Sequence, residues 1–198
     1  IEEELDLWDI AQTTYGWGRV HAMEAADYDT PDKRDWLLRH GSEIDVHYPA
    51  IALRCIKDGN MLTVLQKAEI DEELYQGTLN SLNNYLEYLL DIDAENDSLT
   101  DLAMINTYGL LKEILKHAEK HADSIENLVG IINLSNNLQR LADENRWETL
   151  DANKCHLLIS MAEKIIYSKD WLPEIKDKLL NLDGSINFLA ADFAYALN

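Results

Sequence analysis

Thr30-Pro31-Asp32-Lys33-Arg34-Asp35-Trp36-Leu37-Leu38-Arg39-His40-Gly41 is the stretch whose reading decides the fold. Thr30 offers a side-chain oxygen to the free N–H groups of a first helical turn. Pro31, which has no N–H to satisfy, suits the first helical position. Asp32 complements the positive end of the helix dipole. Arg39 and His40 complement its negative end, and Gly41 stands where a helix stops. Eighteen residues further on, Gly59 closes a second helical pattern, expected over residues 46–58 with Pro49 in its first turn. A helix pair of this kind occupies about 36 residues, a period typical of helical arrays.

Working outward, the apolar spacing stays helical. Residues 3–26 predict two short helices, or one interrupted by Gly16 and Gly18. Short helices follow at 61–67 and 171–180, and longer ones at 71–90, 98–120, 123–144 and 149–167. A last helix begins after Gly184-Ser185. Ser98 with Asp101 resembles a capping box, and Thr149 is the expected cap of its helix. No alternating strand pattern interrupts the series. The expected fold is all-α: roughly nine or ten helices in antiparallel hairpins, stacked as a short solenoid or irregular bundle. One domain is expected over residues 1–198. The chain starts at Ile1 and ends in an apolar stretch, Ile186–Leu197. The expectation is either a last helix that closes the core or a piece of a longer protein.

Residues 5–70 resemble the HEAT and armadillo families of α-solenoids. The resemblance is carried by Tyr15-Gly16-Trp17-Gly18-Arg19-Val20-His21-Ala22-Met23-Glu24-Ala25-Ala26, an Asp-rich turn, Pro31 through Leu38, and Ala50-Ile51-Ala52-Leu53. An acidic turn, a proline and then a helix running from charged to apolar is similar to the inter-repeat pattern of those families. The resemblance implies a protein-interaction scaffold with a concave binding face and no particular chemistry. From Asp71 onward the helices lengthen and the repeat is lost.

The 198 residues are 46% hydrophobic and 27% charged, with 17 Lys and Arg against 37 Asp and Glu, for a net charge of −20. Such a chain repels nucleic-acid backbones and anionic membranes, so neither is expected as a partner. No apolar run reaches the roughly 18 residues of a membrane span, and no basic segment precedes an apolar one at the start. Cys55 and Cys155, 100 residues apart among apolar neighbours, are expected to be buried thiols of a reducing compartment, which makes a cytoplasmic location the expectation. The charge is uneven. Residues 1–99 hold 7 basic and 22 acidic residues, net −15; residues 100–198 hold 10 and 15, net −5. No Lys or Arg occurs between Lys67 and Lys112.

No residue set names a reaction. Asp91-Ile92-Asp93-Ala94-Glu95-Asn96-Asp97 invites a calcium-loop reading, but neither register from Asp91 or Asp93 puts Gly at the sixth position or Glu at the twelfth. Glu113, His117 and His121 share a helical stripe, expected to face solvent opposite Met104, Leu111, Leu115, Ala118 and Ala122. Glu-x-x-His pairs, nucleophile elbows and phosphate loops are missing from the sequence. No catalytic residue, metal or cofactor is therefore assigned. The best candidates for a binding face are Trp17, Arg19, His21, Trp36, Arg39 and His40, because Trp and Arg dominate interface hot spots. The two tryptophans have a competing place between packed helices. Asp91, Asp93, Glu95 and Asp97 are candidates for steering a basic partner. These features point to a non-catalytic scaffold or adaptor that binds a protein or peptide, basic by preference, in a helical groove. The alternative is an all-α enzyme or small-molecule carrier with an aromatic and histidine-lined pocket.

Overall fold

A computed structural model describes residues 7–92, 102–181 and 183–196, which are helical apart from turns, loops and one isolated bridge between Leu180 and Ile186. Their contacts cluster into two compact units, Ile1–Asp93 and Ala94–Asn198.

In the first unit the helices are α1 (Leu7–Thr13), α2 (Gly16–Ala25), α3 (Pro31–His40), α4 (Ile51–Lys57), α5 (Met61–Leu65) and α6 (Glu72–Asp91). The expected break near the early glycines falls at Thr14-Tyr15, and Gly16 opens α2 in the left-handed region at φ 58°. α3 begins as its sequence dictates, with Thr30 accepting from the Lys33 N–H at 3.4 Å and Pro31 at the first position. Its end has a different cause from the one expected. Gly41 is right-handed at φ −64°, so it is not there for a left-handed cap. A Cβ at Gly41 would lie 2.6 Å from the Cys55 sulfur, so glycine is needed to let the end of α3 meet α4.

α4 is shorter than expected. Residues 46–50 are outside the helix, and the Ala52 N–H reaches the Pro49 carbonyl in the turn that precedes it. Proline disfavours helical backbone in the residue before it, so Tyr48 stays in the loop. α6 is the spine against which α3 and α4 both pack. Asp71 caps it by accepting from the Leu74 N–H at 3.0 Å, and Glu72 and Glu73 occupy its first turn. Leu74, Leu82, Leu86 and Leu89, with Tyr75 and Tyr85, recur at helical spacing and are buried.

In the second unit the helices are α7 (Thr107–His121), α8 (Ile125–Glu144), α9 (Ala152–Ile166), α10 (Leu172–Lys178) and α11 (Phe188–Ala196), with a 3-10 turn at Glu148–Leu150. α8 and α9 form the main pair, and α7 packs on both. α7 starts later than the expected 98, with Asn106 as its cap; Ser98 and Asp101 lie outside the described residues. Ser124 caps α8 by accepting from the Asn127 N–H at 3.3 Å. Asp151, not Thr149, caps α9, because Thr149 is inside the 3-10 turn. α8 ends at Asn145, left-handed at φ 47°, whose side chain accepts from the Ala152 N–H at 3.2 Å. α11 docks on α8 and α10 and buries Ala190, while Phe188 and Tyr195 remain exposed.

Candidate functional site

The candidate residues lie on the short helices of the first unit and divide into two groups. α2 buries Arg19, Val20, Ala22 and Met23. Trp17 and His21, four residues apart, therefore share its other face. Their rings stack with centroids 6.0 Å apart. Trp17 also meets Tyr48 edge-on at 5.6 Å and stays 52% exposed. Its competing place in the core is overturned: a helix with one buried face leaves the opposite face in solvent. The Tyr48 hydroxyl donates to Glu24 Oε1 at 2.6 Å, and this bond raises the phenol to about 12. His21 Nδ1 lies 3.6 Å from Glu24 Oε2, so one carboxylate touches both neighbours of Trp17.

The second group is turned inward. Arg19 is 8% exposed and donates to the His40 carbonyl at 2.9 Å, so its cation sits on the last turn of α3. Its guanidinium also lies 5.4 Å from the centre of the Trp36 ring. Trp36 is half-buried against Trp8 at 4.8 Å and against the His40 ring at 5.7 Å. Arg19 and Trp36 are thus used within the fold, as a link between α2 and α3. Arg39 bridges α3 to the start of α6, binding Asp35, Asp71 and Glu73, with 2.6 Å to Asp71 Oδ1. His40 Nδ1 is 3.2 Å from Glu43. The carboxylates raise the Arg39 guanidinium, and Arg39 in turn holds Asp71 down at about 2.

The acidic candidates are not brought to this site. Asp91 is exposed at the far end of α6, a helix roughly 30 Å long, from the Asp71–Arg39 network. Asp93, Glu95 and Asp97 lie outside the described residues. The Glu113–His117–His121 stripe also differs from expectation: His117 is 5% exposed. It lies seven and three residues past Leu110 and Ile114, which places it above them on the buried face. Met104, expected on the helix face opposite that stripe, is 81% exposed in a turn before α7. Among the described residues no group of three His, Cys, Asp or Glu is arranged to hold a metal ion.

Tyr48 and Glu24 belong to the site and were missed by sequence reasoning. A helix from 46 hid Tyr48; the Tyr48-Pro49 pair, read as a loop signal, would have exposed it. Beside Tyr48 the loop opens into a shallow hollow lined by Ile44, Asp45, Val46, His47, Pro49 and Asn84. A second open hollow carries Arg34, Arg54 and Lys57 with Asp27 and Asp58. Both arginines are engaged there: Arg34 donates to the Tyr28 carbonyl and Arg54 to the Ala26 carbonyl. Compared with protein-family models, characterised proteins and solved structures, the chain matches none.

Proposed function

We propose that this chain is a non-catalytic interaction module that holds a basic segment of a partner protein against its first unit. The observation that carries this reading is the half-exposed Trp17 with His21 and Tyr48, set in a half of the sequence with net charge −15. Aromatic rings with one open face are what interfaces use as anchors, and surrounding carboxylates draw in a basic partner and repel acidic ones. The neighbouring hollow offers room for the residues that flank such an anchor. The resemblance to HEAT and armadillo arrays agrees with a scaffold role. The sequence alternative, an enzyme or carrier, calls for an enclosed pocket, whereas the hollows around these residues are open.

The test is an array of basic peptides with varied apolar flanks, probed with the folded chain at about 50 and 300 mM salt. A subset should bind, weaken at the higher salt and be lost with Trp17→Ala. Absence of binding, or binding indifferent to both salt and Trp17, would overturn the reading.

A further inference from the structure

We propose that Trp17 and Tyr48 form a recognition corner for a methylated ammonium head group, with Glu24 as its counter-charge. The proposal rests on the interaction reading above and names the group that the anchor recognises.

Its first support is a comparison among the tryptophans. Trp8 carries Lys33, Trp36 carries Arg19, and Trp171 carries Lys169, each cation within 6 Å of the ring centre. Among the described residues no Lys or Arg lies over Trp17 or over Trp147, and Trp147 has no aromatic ring stacked on it. Yet Trp17 is the one set beside a carboxylate that contacts both of its ring neighbours. An indole face attracts cations through its quadrupole, and a nearby carboxylate reinforces that attraction. His21 covers part of the indole and Tyr48 meets it edge-on, while half of Trp17 stays open to an incoming group.

The second support concerns hydrogen bonding. A primary ammonium brings three donors and needs acceptors for them when it leaves water. Here Glu24 Oε1 already accepts from Tyr48, and Oε2 faces His21. Among its named side chains the corner therefore offers aromatic surface and one carboxylate, which keeps free lone pairs but is the sole anionic acceptor for all three donors. A methylated ammonium has few or no N–H groups, sheds its weaker hydration readily and spreads its charge over methyl groups. That chemistry matches the corner better than a primary amine.

The experiment follows the Trp17 indole N–H of the full chain by NMR during titration with tetramethylammonium chloride. Sodium chloride at equal ionic strength and tert-butanol, a neutral compound of similar shape, serve as references. A saturable shift specific to the cation is expected. Trp17→Ala, followed on the Tyr48 ring signals, should weaken binding about fivefold, and Glu24→Gln about two- to threefold. Circular dichroism of both variants establishes that they remain folded. A response to tert-butanol or sodium chloride equal to that to tetramethylammonium would overturn the proposal, as would unchanged affinity in both folded variants. Peptides containing trimethyllysine or lysine at the same position then separate the sources. Tighter binding of the trimethyllysine peptide than of tetramethylammonium assigns a protein side chain; equal binding assigns a free quaternary amine. Basic peptides that bind without moving Trp17 would sink the corner and keep the interaction reading. A corner that takes tetramethylammonium while no peptide binds would do the reverse.

Discussion

At the residue scale, Arg39 carries most of the side-chain electrostatics between α3 and α6. It joins Asp35 on its own helix to Asp71 and Glu73 at the start of α6. Asp71 is held at about 2, below the ordinary 3.8, by Arg39 and then by the Leu74 N–H. A carboxyl lowered in the folded state stabilises the fold above the unfolded value, near pH 4, and that stability drains as pH falls toward 2. The Asp71 side chain is 60% exposed, so solvent screens the pair and its share is at most about 1 kcal/mol. Arg39→Met should lower stability by about 1–2 kcal/mol at neutral pH, counting the three carboxylates together. In urea titrations the gap between variant and parent should narrow from pH 5.5 to pH 3; a constant gap would contradict this account. The cysteines make a second residue-scale prediction. Both are buried and unpaired, and burial pushes the Cys55 thiol up to about 11. Thiolate is the reactive form, so a thiol-exchange reagent should react at least about a hundredfold faster in urea than with the native chain.

At the element scale, close approach explains what helix propensity does not. Gly77, in the middle of α6, faces the last turn of α3. A Cβ there would lie 2.7 Å from the Arg39 Cα and would collide with the Leu38 and Arg39 carbonyl oxygens. Backbone cannot move aside as a side-chain tip can. Gly77→Ala, favourable for an isolated helix, should therefore destabilise the protein by about 3 kcal/mol. A variant as stable as the parent in thermal melts would show that α3 and α6 separate at little cost. The same logic separates the helix ends that were legible from those that were not. Thr30-Pro31 and Asp71 act as caps because capping is local. Gly41 resembles a cap signal, but its cause is Cys55, on another helix. The shorter α4 follows from Pro49 acting on Tyr48, a local effect that the helical spacing of 46–58 outweighed in the sequence reading.

At the scale of the whole molecule, two compact units divide the chain near residue 93, and each has its own buried set. In the first, α6 gathers Leu37 and Leu38 of α3 and Ile51 of α4 around its own leucines and tyrosines. In the second, Leu128, Ile131, Leu134, Leu138 and Leu141 of α8 face Leu158, Ala162 and Ile165 of α9. Cores of this kind support independent folding. Residues 1–93 and 94–198, produced separately, should each give a helical spectrum and a cooperative melt. A half that melts without cooperativity would mean that its core depends on the other.

The sequence by itself determined the all-helical class, most helix starts and the acidic surplus of the first half. These depend on periodicity, capping chemistry and charge, which are properties of neighbouring residues and composition. Tertiary structure decided which candidates share a surface. It turned Arg19 inward onto His40 and Trp36, placed His117 on the buried face of α7, and left Trp17 in solvent beside Tyr48. Those outcomes depend on which face each helix buries and on contacts between residues 20 to 40 apart in the chain, such as Trp17 with Tyr48 and Arg39 with Asp71. No local pattern encodes such contacts, because each is fixed only when the helices pack.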